Sequence, residues 1–181
     1  MRTVLFVIAT LGLLVVSRRS LGVLRSHGFY RFFAWEAILA LIVINSGVWF
    51  VEPWSPLQLA SWVCLLVSLL LLVPGGYQLF AQGKPSRRRK DATLMDFEKT
   101  SVLVTSGLYG YIRHPLYGSL LFLAWGAFLK GPAWYSWCLI AVATAGLVAT
   151  AKADEVECQR YFGPAYTEYM GKTRMFIPFV Y

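Results

Sequence analysis

Residues 57–80 read LQLASWVCLLVSLLLLVPGGYQLF, without a single charged side chain. A run of that length exceeds the roughly 20 apolar residues needed to cross the hydrocarbon of a bilayer. It leaves little choice of fold, because a backbone in lipid must satisfy its own hydrogen bonds and a helix does so within one segment. Four further apolar stretches can be drawn: residues 4–16, 32–51, 133–150, and one from Pro115 to the Lys130-Gly131-Pro132 turn. The expectation is an all-α, multi-span integral membrane protein with about five transmembrane helices and a C-terminal helical region outside the bilayer. With 57% hydrophobic and 14% charged residues, the chain is too apolar for a water-soluble domain of its size. It is read as one membrane domain, residues 1–181, with N-terminal spans in 1–80 and the site-bearing part in 81–181.

The first stretch is short for a span. Arg18 and Arg19 follow it directly and no small-residue cleavage site does, so a span is expected there and not a signal peptide. The second should end at the proline-bounded turn Glu52-Pro53-Trp54-Ser55-Pro56, and Pro74-Gly75-Gly76 should bend the third. The fifth should continue into a more polar helix over 151–162.

A net charge of +8 can signal nucleic acid, but its placement points to a membrane. Arg18, Arg19, Arg25 and Arg31 fall between the first two spans, and Lys84, Arg87, Arg88, Arg89 and Lys90 fall in the loop after the third. Basic residues beside spans mark cytoplasmic loops and attract anionic phospholipid head groups. The N-terminus is then expected outside, and the loop before Pro115 and the C-terminus inside. No nucleic-acid partner is expected. Neither is a metal, because there are only two histidines and the three cysteines lack metal-ligand spacing. Cys64, Cys138 and Cys158 are expected as free thiols.

The polar groups that stand out lie where the loop meets the fourth span, in SGLYGYIRHPLYGSLLFLAWGAFL. Polar groups at a bilayer boundary are costly unless paired or used. Pro115 suits a first helical turn, which puts Arg113 and His114 at a helix N-terminus, where the dipole favours an anion. Tyr111 and Tyr117 flank them. Spans four and five should form a hairpin that brings this mouth close to Asp154 and Glu155. Glu157 and Arg160 read as a solvated i,i+3 pair, and Tyr166 and Tyr169 as packing or interfacial anchors. Glu36, inside the second span, and Arg174, near the C-terminus, are candidate substrate-side groups.

The stretch Arg113-His114-Pro115-Leu116-Tyr117, the acidic pair Asp154-Glu155, the run FGPAYTEY from Phe162 and the closing Ile177-Pro178 together resemble one family signature. It is that of the integral-membrane methyltransferases typified by isoprenylcysteine carboxyl methyltransferase and the phospholipid methyltransferases. The resemblance covers roughly the C-terminal 80 residues. It departs from the commonest family form at Ser119, where glycine is usual, and at Asp154, where glutamate is usual. It implies S-adenosyl-L-methionine as cofactor, held by Tyr111, Arg113, His114, Pro115, Tyr117, Asp154 and Glu155. Arg113 and Glu155 are then the catalytic candidates. The implied acceptor is a lipid or lipidated substrate from the bilayer: most like an isoprenylcysteine carboxylate, alternatively a phospholipid amine. The chemistry suits those residues. An arginine and a helix N-terminus complement the cofactor carboxylate, carboxylates complement its ammonium, and aromatic rings complement a sulfonium. The tail also resembles the end of NADPH-dependent membrane sterol reductases, although Pro115 is not usual there. A non-catalytic protein on the same scaffold is the third reading.

Overall fold

The computed structural model describes residues 1–84, 94–95 and 99–178. The arginine run 87–89 and Lys90, expected as part of a cytoplasmic loop, lie outside the described residues. Six α-helices make up the described chain: α1 Arg2–Leu21, α2 His27–Asn45, α3 Pro56–Gly83, α4 Pro115–Leu129, α5 Trp134–Phe162 and α6 Pro164–Lys172. A 3-10 turn, Gly107–Gly110, precedes α4. Four helices, α1, α2, α3 and α5, are long and apolar enough to cross a membrane. Five had been expected. α4 is apolar but has only 15 residues, about 22 Å of helix against roughly 30 Å of hydrocarbon.

The core lies where α2, α4 and α5 meet. Ala34, Ala37, Leu41, Ala124, Ala127 and Ala143 are small or slim enough to draw the helices together around Phe128, Ile140 and Leu147. A β-carbon added at Gly146 would lie 3.1 Å from the Ala34 methyl, which shows how close α2 and α5 run. α3 packs along α4, and α1 lies on α2. The outward faces of α1 and α3 carry exposed Leu5, Ile8, Val63, Leu70 and Val73. An apolar coat of that extent suits lipid, not water.

The two ends of the bundle differ. At one, Lys130 is buried with its ammonium 3.3 Å from the Trp62 ring centroid and 2.9 Å from Gln58 Oε1. The Asn45 side chain donates to the Ala127 carbonyl at 2.8 Å. α2 ends at Asn45, and residues 46–55 form turns and bends where the second span had been expected to continue to 51.

At the other end α2 begins earlier than expected. The Ser26 hydroxyl caps it by accepting from the Phe29 N–H at 3.1 Å. Arg31, expected in a loop, thus falls inside the helix. Glu157 also departs from its expected solvated pairing. It reaches across from α5, where its carboxylate accepts from His27 Nδ1 at 2.9 Å and from the His27 backbone N–H at 3.3 Å. His27 is fully buried, so this pair ties the start of α2 to α5. Glu157→Gln should therefore lower stability by about 1–3 kcal/mol, the range for a disrupted buried hydrogen bond. Thermal unfolding of the purified variant checks this, and an unchanged midpoint would return Glu157 to a solvated role.

Candidate functional site

The site is assembled by a chain crossing that leaves little trace in hydropathy. After α6, the backbone at Arg174 and Met175 runs beside the segment before α4, in an isolated parallel bridge between Ile112 and Arg174. The Arg113 N–H donates to the Arg174 carbonyl at 2.7 Å and the His114 N–H to the Met175 carbonyl at 3.2 Å. The Arg174 N–H donates to the Tyr111 carbonyl at 3.0 Å. These bonds fix Arg113 and His114 against the C-terminal segment. Pro115 then starts α4, and its ring meets α3 where Gly75 lacks a side chain. A β-carbon there would lie 3.1 Å from the Pro115 Cβ.

Arg113 is held on three sides. Its Nε donates to Glu155 Oε1 at 2.6 Å, and one terminal nitrogen donates to the carbonyls of Met170, at 3.2 Å, and Thr173. One guanidinium thus joins the mouth of α4 to α5 and to the end of α6. His114 lies between the two carboxylates: Nδ1 is 3.5 Å from Asp154 Oδ2, and Nε2 is 3.4 Å from Glu155 Oε1. The second contact lacks hydrogen-bond alignment, and Nε2 is buried without a hydrogen-bond partner among the described residues. The imidazole stacks on Tyr117, ring centroids 5.4 Å apart.

Beside these groups is a cavity of about 450 Å³, within the range of small-molecule sites. Arg113, His114, Pro115, Tyr117 and Asp154 line it. Glu155 stands behind Arg113 and is not in the lining. Tyr111 points away, 60% exposed. Glu36 faces α1, where it accepts from the Thr10 hydroxyl at 2.9 Å, and the Arg174 side chain is exposed at the surface. Neither of these two candidate substrate groups reaches the cavity, because helix phase turns Glu36 toward α1 and backbone pairing turns Arg174 outward.

Two tyrosines expected as packing do line it, Tyr166 and Tyr169. Gly163 makes this possible. It joins α5 to α6 at φ 62° and ψ −138°, a conformation that side chains disfavour, and so folds α6 back over the cavity. The Tyr169 hydroxyl donates to the Tyr109 carbonyl at 2.7 Å. Burial pushes both phenols well above their usual range, and the neighbouring Asp154 and Glu155 carboxylates push Tyr166 the same way. Both rings remain neutral hydrogen-bonding groups.

Sequence reasoning also missed Arg31. It is 2% exposed, lines the cavity, and its guanidinium carbon is 4.9 Å from the Trp35 ring centroid. The remaining wall is largely aliphatic, with Leu72, Leu79, Leu103 and Leu120. No metal-binding cluster of His, Cys, Asp or Glu occurs among the described residues. No protein-family model matches the chain, and no solved structure matches it significantly.

Proposed function

We propose that this chain is an S-adenosylmethionine-dependent methyltransferase acting on a lipophilic acceptor from the bilayer, most like an isoprenylcysteine carboxylate. The observation that carries the reading is the meeting of Arg113 and His114 with Asp154 beside one largely apolar cavity at the end of the helical bundle. The residues fit the cofactor in kind. Asp154 lines the cavity beside His114, and a carboxylate there suits a ligand with cationic groups. Phe162, Tyr166 and Tyr169 offer aromatic faces.

When bound, the cofactor supplies an activated methyl group. The chain's own work is to bind, orient and exclude water. Asp154 and His114 hold the amino-acid end. Arg113 and Glu155 act by fixing the mouth of α4 on α5 and α6. A carboxylate acceptor is already ionised, so no side chain has to remove its proton. In this reading α4 is a fifth, short membrane-embedded helix, and the site end faces the cytoplasm. Arg18, Arg19 and Arg25 lie at that same end, as the positive-inside rule requires.

Calorimetry on detergent-purified protein tests the cofactor. S-adenosylmethionine should bind and NADPH should not. NADPH binding without a response to S-adenosylmethionine would move the chain to the reductase reading, and binding of neither by folded protein would favour a non-catalytic one. Orientation is tested by a single cysteine at position 86, in a background lacking Cys64, Cys138 and Cys158. An impermeant thiol reagent should label it only from the cytoplasmic side. Labelling from outside would invert the topology.

A further inference from the structure

At the site end of the bundle, two thin strips of chain lie between the cavity and water. The first is residues 101–110. Its Val104 and Tyr109 are buried and line the cavity, while Thr105 and Ser106 are exposed on its other side. The second is α6, which turns Tyr166 and Tyr169 inward and exposes Thr167 and Glu168. Each strip is one layer of chain thick.

The two strips are anchored to different helices. The first is stapled to the end of α3. The N–H groups of Ser101 and Val102 donate to the Gly83 carbonyl at 2.9 and 3.2 Å. The Ser106 hydroxyl donates to Gln82 Oε1 at 2.7 Å, and the Leu108 N–H donates to Gln78 Oε1 at 3.0 Å. α6 is instead held to Arg113 through the Met170 and Thr173 carbonyls. Where the strips meet, the Tyr169 hydroxyl donates to the Tyr109 carbonyl at 2.7 Å.

α3 is weakened just before its stapled turns. Pro74 has no N–H to give the Leu70 carbonyl, and two glycines follow it. Gly75 is packed against the Pro115 ring, so bending there moves the turns beyond it and not the helix below. The 28 residues of α3 make about 42 Å of helix against roughly 30 Å of hydrocarbon, so its last turns reach past the bilayer and are not braced by it. At its other end the first strip stops at Gly110. The next residue is fixed, because the Tyr111 carbonyl accepts from the Arg174 N–H at 3.0 Å.

We propose that the seam between Tyr109 and Tyr169 is a gate for a water-soluble ligand. Residues 101–109 and the α3 turns 77–83 open as one body about Pro74-Gly75-Gly76 and Gly110, and the Tyr169 hydroxyl latches that body to α6. The proposal rests on reading the cavity as a cofactor site, and it deepens that reading by assigning the step that lets the cofactor in and out. The latch is one neutral hydrogen bond, because the Tyr169 phenol keeps its proton. The bonds to α3 together outweigh it, so the strip parts from α6 first.

The test uses the full chain in detergent, and its first arm needs no ligand. In hydrogen exchange, the amides of 77–83 and 101–109 should open together, separately from those of α6. Tyr169→Phe keeps the ring and removes the latch. It should speed exchange in both stretches by about two- to tenfold, the worth of one neutral hydrogen bond. Pro74→Ala returns an N–H to α3 and should slow both. The second arm follows S-adenosylmethionine in stopped flow. Tyr169→Phe should raise the association and dissociation rates by the same factor, Pro74→Ala should lower both, and Kd should hold. A merely structural role would not move the two rates in step. Independent exchange of the two stretches would overturn the proposal. So would a rise in dissociation alone in Tyr169→Phe, which would make the hydroxyl a ligand contact. Were Tyr169→Phe to fail to fold, wild-type exchange and Pro74→Ala would still decide it. Coupled exchange without S-adenosylmethionine binding would sink the methyltransferase reading and leave the gate. Binding with uncoupled exchange would do the reverse.

Discussion

Arg113→Ala should lower the stability of the folded protein by about 3–5 kcal/mol, more than any other single substitution at the site. The variant removes the Nε bond to Glu155 and the bonds to the Met170 and Thr173 carbonyls in one step. Both charged side chains are only 10% exposed, so Glu155 would be left buried without its guanidinium partner, with the His114 imidazole 3.4 Å away. Breaking a buried pair from one side is far more damaging than never having it. For a chain of this size the change corresponds to a fall of roughly 6–20 °C in the unfolding midpoint. The double variant Arg113→Ala, Glu155→Ala should regain part of the loss, because it removes the orphaned carboxylate as well. Thermal unfolding in detergent checks both. A single variant that melts with the wild type would show that the guanidinium is a ligand group and not a clamp.

This expectation differs from what the sequence alone implies, and the reason is local. Membrane spans are legible because lipid imposes one rule on every residue of a segment, so α1, α2, α3 and α5 each announce themselves by length and apolarity. The start of α4 is legible because Pro115 has one favoured place in a helix. That Arg113 and His114 face Asp154 and Glu155 follows from the hairpin made by the consecutive apolar helices α4 and α5. The bonds around Arg113 are another matter. The parallel pairing of Tyr111 and Arg113 with Arg174 involves single residues, and no alternation of polar and apolar positions records it. Which carboxylate meets Arg113 and which meets the cavity is a matter of helix phase, about 100° between neighbours, and consecutive acidic residues in a sequence look alike.

Three departures share that origin. Glu157 looked solvated because Arg160 stands three residues on, yet its partner is His27, remote in sequence. Arg31 looked like a loop charge because it follows other arginines, yet the Ser26 cap starts α2 early enough to carry it into the cavity wall. Tyr166 and Tyr169 reach the cavity only because Gly163 turns the chain back on itself. The glycine itself was visible in the sequence; the direction of the turn was not. A serine followed by a histidine at the start of a span is the one signal that could have moved Arg31 out of the loop.

Asp154 and Glu155 provide the sharpest separation of binding from folding, because they are adjacent in sequence and sit in different places. Asp154 lines the cavity, with Oδ2 3.5 Å from His114 Nδ1 and Oδ1 accepting from Cys158 Sγ at 3.7 Å. An asparagine there keeps the size of the side chain and one acceptor oxygen, so Asp154→Asn should disturb the fold little. Glu155 is buried behind Arg113 and holds it at 2.6 Å. If the cavity takes a ligand with a cationic amino group, Asp154→Asn should leave the unfolding midpoint within a few degrees of wild type. It should weaken S-adenosylmethionine binding by about 1.5–3 kcal/mol, more than tenfold, the usual worth of a hydrogen bond to a charged group. Glu155→Gln should instead lower the midpoint first, because it leaves the Arg113 charge unmatched, and any loss of binding should follow the loss of structure. Calorimetry and thermal unfolding on the same two samples decide it. Equal loss of stability in both variants would show that the acidic pair acts as one structural unit, and the cofactor assignment of Asp154 would fall with that result.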